Sequence, residues 1–381
     1  MSVKGIDRGP MHIARIVQTR HRLPLETPFQ TAWDAEPRQH LDIDLVWVET
    51  DDGRAGVGAG PALPPTPVFE DLFLGRDPMD LQRHNRVIES LSFYHGPCWA
   101  LDVALWDLAG KINGVPVWRL LGGAGGQIAA VAAFGDSRPG PELGELARDA
   151  RAEGFRAVMI RLHDEDWRAD VARVKAIRDA VGREIQILAD WGQAAPMPWL
   201  ADQRRAREDA LSLTEALEDY EIYWIDNPLH RGDYKGMQGL RQRKRVKIAA
   251  GFAARDLHDL RNLIVRDVAD VIRADATMVG GLTGLFPVLK KARERGAMVS
   301  PASWHHGIAM VANAHLAAAV GGCPYFEYPV DPPSLLPEQR DFLIKQPLLT
   351  DTEGFLDLGE RPGLGLHLDN DALMDTQIPR P

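Results

Sequence analysis

Eight short apolar segments, spaced along the chain with amphipathic stretches between most of them, constrain this fold more than any other feature of the sequence. After residue 127 they read IAAVAAF, RAVMIRL, EIQILAD, EIYWID, VKIAAG, ADVIRAD, GAMVSPA and PYFEY. Each has the length of a strand buried on both faces. The stretch 171–181 shows what lies between them: Val174, Ile177 and Val181 fall on one helical face. Strands that alternate with helices predict parallel pairing through crossover helices, and eight of them predict a closed barrel.

The residues before this alternation follow a different pattern. IARIVQTR and DIDLVWVET are strand-like, and Asp52-Gly53 is a turn signal before the expected hairpin partner RAGVGAG. Residues 61–67 form a proline-rich break, and residues 69–121 read as helices. In PCWALDVALWDLAGKING, Leu101, Leu105, Leu108 and Ile112 share a face, and Gly114 and Pro116 stop the helix. Gly122-Gly123 marks a hinge. From about Phe342 the alternation ends in a loop-rich tail, expected to return to the N-terminal unit. The expected domains are therefore 11–127, with 342–381 returning to it, and a barrel over 128–341.

The net charge of −10 argues against a nucleic-acid partner, which would need clustered Lys and Arg. The basic run from Arg241 to Lys247 is short and reads as a solvated helix end. Cys98 and Cys323 lie far apart and suggest neither a disulfide framework nor a zinc site, which fits a cytoplasmic protein. The first ten residues carry no apolar signal region, and no apolar run approaches the ~20 residues of a membrane span.

In such barrels the chemistry gathers at the C-terminal ends of the strands. Met159, Arg161 and His163 alternate on one face at the second strand's end. The third strand ends at Asp190 and Trp191, the fourth at Asp226 and the fifth at Phe252. The sixth ends at Asp275, the seventh runs into Trp304, His305 and His306, and the eighth ends at Glu327. Asp190, Asp226, Asp275 and Glu327 converging on one mouth require a cation or a proton to neutralise them. Trp191, Phe252 and Trp304 read as pocket walls, with Met159 and His163 beside them. The Gly280-Gly281 pair is too short a signal for a phosphate site.

Three stretches carry a resemblance: ALDVALWDLAGKINGVPVWRLLGG; GFRAVMIRLH followed by ILAD; and WIDNPL followed by DVIRADATMVGGLTG. They resemble the mandelate racemase and muconate lactonising branch of the enolase superfamily. The tail, with DPPSLLPEQRDFLIKQPLL and PGLGLHLD, is similar to the sugar-lactone cycloisomerases and acid-sugar dehydratases of that branch. The resemblance implies an α/β fold: a modified (β/α) TIM-type barrel, its first or last helix missing, with an α+β capping domain formed by the N-terminus and the C-terminal tail. It also implies Mg²⁺ held by three carboxylates on strands three to five, and no organic cofactor. A base on strand two (Lys-x-Lys) or strand seven (His, paired with the strand-six Asp) would remove the proton next to a carboxylate.

Residue by residue the match is partial. Asp190 matches the first metal ligand, and Asp226 stands where the second, usually Glu, belongs. Asp275 and Glu327 match the strand-six and strand-eight acids. Met159 and Arg161 replace the two lysines, Phe252 replaces the third ligand, and Ala302 stands at the strand-seven His position. Met159 cannot accept a proton. Arg161 stays charged, a poor base but a suitable clamp for a carboxylate. Two carboxylates predict Mg²⁺ held weakly or not at all. Without metal, Asp190 and Asp226 repel and one pKa rises, giving a neutral acid. His305 and His306 are the expected acid–base groups, with Asp275 orienting one of them and His163 as a third candidate.

The expected function is an atypical lyase or isomerase, of the carbohydrate-acid dehydratase or cycloisomerase type. Its substrate would be a hydroxylated carboxylic acid or sugar lactone. Two-base racemisation is not expected, since no acceptor stands on each face of the substrate. The alternative is a binding protein that keeps the pocket without turnover. The resemblance also implies a homo-oligomer.

Overall fold

The computed structural model describes residues 11–135, 138–162, 164, 166–194 and 206–380. An N-terminal antiparallel sheet is built from β1 (Ile13–Phe29), β2 (Arg38–Thr50) and β3 (Ala55–Gly60). The Asp52-Gly53 turn joins β2 to β3, with Gly53 at φ 86° and the Thr50 hydroxyl donating to Asp52 Oδ1 at 2.7 Å. Three helices follow: α1 (Leu81–His95), α2 (Ala100–Asn113) and α3 (Val117–Leu120). Helix α2 lies directly on β3. A Cβ at Gly56 or Gly58 would sit 2.1 or 2.0 Å from the carbonyl oxygens of Ala104 or Ala100, so only glycine permits this approach. Gly114, left-handed at φ 69°, ends α2 where the sequence predicts it.

The barrel alternates strand and helix as expected. In order come β4 (Gln127–Ala133), α4 (Gly140–Ala152), β5 (Ala157–Arg161), α5 (Trp167–Val181), β6 (Gln186–Asp190) and α6 (Arg207–Glu218). Then follow β7 (Ile222–Asp226), α7 (Tyr234–Arg243), β8 (Lys247–Ala250), α8 (Leu257–Val265), β9 (Val271–Ala274) and α9 (Gly281–Glu294). The last units are β10 (Met298–Pro301), α10 (Gly307–Val320) and β11 (Phe326–Pro329). Parallel ladders run β10-β9-β8-β7-β6-β5-β4-β11. Across the remaining seam the Ser300 hydroxyl donates to the Tyr325 carbonyl at 2.9 Å. The helix missing from a full eightfold barrel is the last one. Directly after β11 the chain makes the four-residue α11 (Pro337–Arg340) in its place.

The tail divides its return, where the sequence reading sends it to the N-terminal unit alone. β12 (Phe355–Asp357) pairs with residues 127–129 of β4, a stretch that the ladders to β5 and β11 leave free. After α12 (Asn370–Thr376), β13 (Gln377–Ile378) adds to the edge of β1. Among the described residues no helix is long and apolar enough to cross a membrane.

Strand periodicity sorts the side chains. Val158 and Ile160 face the helices, while Ala157 and Met159 join Val131, Ala133, Leu188, Trp224, Ala249 and Val271 inside the barrel. The interior is therefore packed, and polar chemistry is confined to the row above it.

Candidate active site

Parallel register places Arg161 beside Asp190, Asp190 beside Asp226, and Asp226 beside Ala249. Inward-facing residues of neighbouring strands thus stand at one level, directly above Met159, Leu188 and Trp224. The charged members of this row pair in a chain. Arg161 Nη1–H donates to Asp190 Oδ2 at 2.6 Å, and Nη2–H to Glu327 Oε1 at 2.6 Å. Arg273, on β9, donates from Nη2 to Glu327 Oε2 and lies 2.8 Å from Asp226 Oδ2 through Nη1. Asp190, Arg161, Glu327, Arg273 and Asp226 are therefore linked in that order, three acids against two cations.

Burial sets the electrostatics. Arg161 is 6% exposed, and Asp226, Glu327 and Arg273 are each 1% exposed. Burial opposes ionisation of Glu327. The charges of Arg273 and Arg161 and hydrogen bonds from Trp304 and Arg273 outweigh it, so the pKa falls to about 2. Asp226 is pushed up to about 7, chiefly by burial, with Asp190 and Glu327 adding to the rise and Arg273 opposing it. Its Oδ1 has no hydrogen-bond partner. The rise expected for one of the two aspartates therefore falls on Asp226, and a proton there would balance the three acids against the two guanidiniums.

The loop between β1 and β2 closes over this row. Ala32 N–H donates to the Gly135 carbonyl at 2.8 Å, and the Thr31 hydroxyl to Asp34 at 2.6 Å, which pins the loop. Trp33 meets Trp304 edge to face at 5.0 Å. The Arg161 guanidinium lies 5.2 and 5.0 Å from their ring centres, a cation held against two indoles. Trp304 is half-buried, and its indole N–H donates to Glu327 Oε1 at 2.6 Å.

Several expectations need correction. Arg161 does point into the mouth, but its two arms are already engaged by Asp190 and Glu327. Asp275 does not orient a histidine. Its Oδ1 accepts from Thr277 N–H and hydroxyl at 2.8 and 2.7 Å and from Asn313 Nδ2 at 2.9 Å, which ties the end of β9 to α10. His305 is exposed, with Nε2 3.4 Å from Met278 Sδ, and does not join the charged row. Trp191 is no pocket wall. Following the inward Asp190 it turns outward, is fully buried, and donates to Asp170 Oδ2 at 3.0 Å on α5. Met159 is a floor under the network, its Sδ 3.4 Å from Arg273 Nη1. Phe252 is half-buried, its ring 5.5 Å from the Arg273 guanidinium. His163 lies outside the described residues.

His306 is buried at the N-terminus of α10, where Nδ1 accepts from Ala309 N–H at 3.2 Å. That bond places the ring proton on Nε2, which has no partner. Burial, with a smaller contribution from His305, lowers its pKa to about 3, so the ring is neutral near pH 7. Its resting form is a hydrogen-bond donor at Nε2. His306 also lines a cavity of about 20 Å³ together with Phe29, Arg38, Ser303 and Trp304.

Sequence reading missed Arg273 and Trp33. Arg273 had a signal: it stands two residues before Asp275 and so shares its inward face. Trp33 lies in a loop whose contacts depend on the docking of the N-terminal sheet over the barrel, and no local pattern announces it.

A barrel with a capping sheet, and acids at its strand ends, defines a class of proteins. Within it, residues 13–122 match the mandelate racemase/muconate lactonizing enzyme N-terminal domain, and residues 142–372 match the enolase C-terminal domain-like family. The chain belongs to this branch of the enolase superfamily. It is 28% identical over 296 residues to a hydrophobic dipeptide epimerase of Enterococcus faecalis, covering 74% of this chain and 80% of the relative. It is 25% identical over 387 residues to a D-galactarolactone cycloisomerase of Agrobacterium fabrum, covering 95% and 97%. Among solved structures, an L-talarate dehydratase from Polaromonas sp. JS666, complexed with Mg and L-glucarate, superposes with a TM-score of 0.81 at 25% identity. That superposition covers 97% of this chain and 98% of the dehydratase.

Magnesium is thus the metal that a solved relative carries, and this chain's residues test its fit. Mg²⁺ takes oxygen ligands, with near-octahedral geometry and retained waters. Here Asp190 Oδ2, Asp226 Oδ2 and both oxygens of Glu327 face guanidinium groups. Asp190 Oδ1 accepts from Gly192 N–H at 2.9 Å. Among the described residues no three His, Cys, Asp or Glu side chains form a group that could hold a metal ion. The residues as paired here fit a tightly held divalent ion poorly.

Proposed function

We propose that this protein is a lyase or isomerase of hydroxylated carboxylic acids, acid sugars or their lactones, and that it moves the proton next to the carboxylate. Support comes from the cycloisomerase relative, which matches nearly the whole of both chains. The observation that carries the mechanism is the unpartnered Oδ1 of Asp226, buried beside a fixed guanidinium and with a proton affinity near neutral pH. A group with such a pKa suits general base catalysis. In this reading Asp226 accepts the proton and returns it to the departing oxygen, Arg161 and Arg273 stabilise the enolate charge, and His306 Nε2–H holds that oxygen by a hydrogen bond. One acceptor suffices for dehydration or lactone isomerisation, and among the described residues of the charged row a two-base racemisation finds no second. The relatives give no support to a binding protein without turnover.

Incubation with acid sugars and lactones in deuterium oxide, followed by proton NMR, tests the reading. Exchange next to the carboxylate is expected in the wild type and lost in Asp226→Asn. Undiminished exchange in Asp226→Asn would refute the assignment. We also propose a cytoplasmic homo-oligomer. The unpaired Cys98 and Cys323 support the compartment, and the exposed Phe93–Tyr94 pair at the end of α1 supports the assembly. Light scattering that gives the mass of a monomer would refute the assembly.

A further inference from the structure

We infer that Arg273 is a tethered cation that occupies the electrostatic role of a divalent metal and competes with one for the acids of the barrel mouth. The inference does not depend on which substrate the protein turns over, or on turnover at all. Its basis is position. The guanidinium is 1% exposed and spans two strands, with Asp226 Oδ2 at 2.8 Å on β7 and Glu327 Oε2 on β11. Met159 Sδ lies beneath it at 3.4 Å, where a lysine would bring a like charge and a thioether brings none. The Phe252 ring covers it at 5.5 Å, an apolar face that favours a cation while offering a metal no ligand. Met159 and Phe252 therefore fit one arrangement: a permanent organic cation in an apolar cage, paired with two carboxylates.

This placement has a consequence for metal. A divalent ion must displace Arg273 from Asp226 and Glu327, its ion-pair partners among the described residues. Competition of that kind weakens metal binding without abolishing the acids that attract it. It also changes what restoring a ligand does. A carboxylate introduced at position 252 would stand beside Arg273 and pair with it, so Phe252→Glu alone would not build a metal site.

Titration of the full-length protein with Mn²⁺, followed by the electron paramagnetic resonance of the free ion, tests this. The wild type and Phe252→Glu are expected to bind more weakly than about 1 mM, the weak end of divalent protein sites. Arg273→Met combined with Phe252→Glu is expected to bind at least about tenfold more tightly. Tight stoichiometric uptake by the wild type would overturn the inference, as would a folded double variant that binds no better than Phe252→Glu. Should the double variant fail to fold, the wild-type titration decides alone: uptake tighter than about 1 mM overturns the inference, and weaker uptake upholds it.

Discussion

Replacing Arg273 with Met removes one of two cations from a buried cluster of three acids. Among the described residues Arg161 then remains as the sole cation of the row, bonded to Asp190 and Glu327, while Asp226 loses its only ion-pair partner. Asp226 and Glu327 are both 1% exposed, so water cannot replace the lost pairing. Removal of one partner from a buried pair typically costs about 3–5 kcal/mol, because the other charge stays buried without compensation. The cost should depend on pH. Both carboxylates lose the cation that favours ionisation, so both take up protons more readily in the variant, and the penalty shrinks as pH falls. Urea unfolding of the wild type and Arg273→Met at pH 8 and pH 5 gives the comparison. A second variant, Arg273→Met with Asp226→Leu, removes both partners and should recover part of the loss, since an apolar replacement of a buried pair is often neutral. A cost below about 1 kcal/mol at pH 8, or no recovery in the double variant, would refute the claim that this pair neutralises the site.

His306, with its pKa lowered from 6.5 to about 3, contributes stability that is present above pH 6.5 and lost as pH falls toward 3. His306→Asn should remove that part of the acid sensitivity, and ring NMR signals that titrate near pH 6.5 would contradict the buried neutral form. Asp226 acts in the opposite direction: its pKa is raised from 3.8 to about 7, so its contribution is intact below pH 4 and lost as pH rises through 7. Asp226→Asn should flatten the stability profile between those values, and an unchanged slope would show that Asp226 is ionised throughout. Trp33→Ala should uncover Arg161 and cost about 1 kcal/mol through the lost indole and cation contacts. Faster reaction of Arg161 with a guanidinium-specific reagent, located by peptide mass, checks this, and equal protection would show that Trp33 is no lid.

The barrel was legible because its strands obey two periods at once. Apolar runs mark the strands, and alternation within them separates Met159 and Arg161, which face inward, from Val158 and Ile160, which face the helices. The same alternation places Asp190, Asp226 and Glu327 at the mouth. It was less informative past the last ladder residue, where regular geometry ends. Trp191 follows Asp190 outward into the helical layer, and His305 swings to the surface beside Met278. Partnership was less legible than position. Asp275 stands one strand before the histidines, yet Thr277 and Asn313 hold its Oδ1, because a backbone N–H, a hydroxyl and an α10 side chain reach that oxygen. Arg273 was readable in principle from its spacing to Asp275. Its pairing with Asp226 and Glu327 joins strands far apart in sequence, which spacing alone does not reveal. The missing eighth helix and the strand that β12 lends to β4 depend on ladder groups that no single segment reveals.

Two guanidinium groups pair with the acids of this barrel mouth, in a chain whose talarate dehydratase relative was crystallised with Mg. A crystal structure of the wild type grown with stoichiometric Mn²⁺, with data collected at the manganese absorption edge, tests this pairing most directly. No anomalous peak is expected beside Asp190 and Asp226, and Arg273 Nη1 is expected within hydrogen-bond distance of Asp226. A manganese peak ligated by Asp190 and Asp226, with the Arg273 side chain turned away, would contradict it.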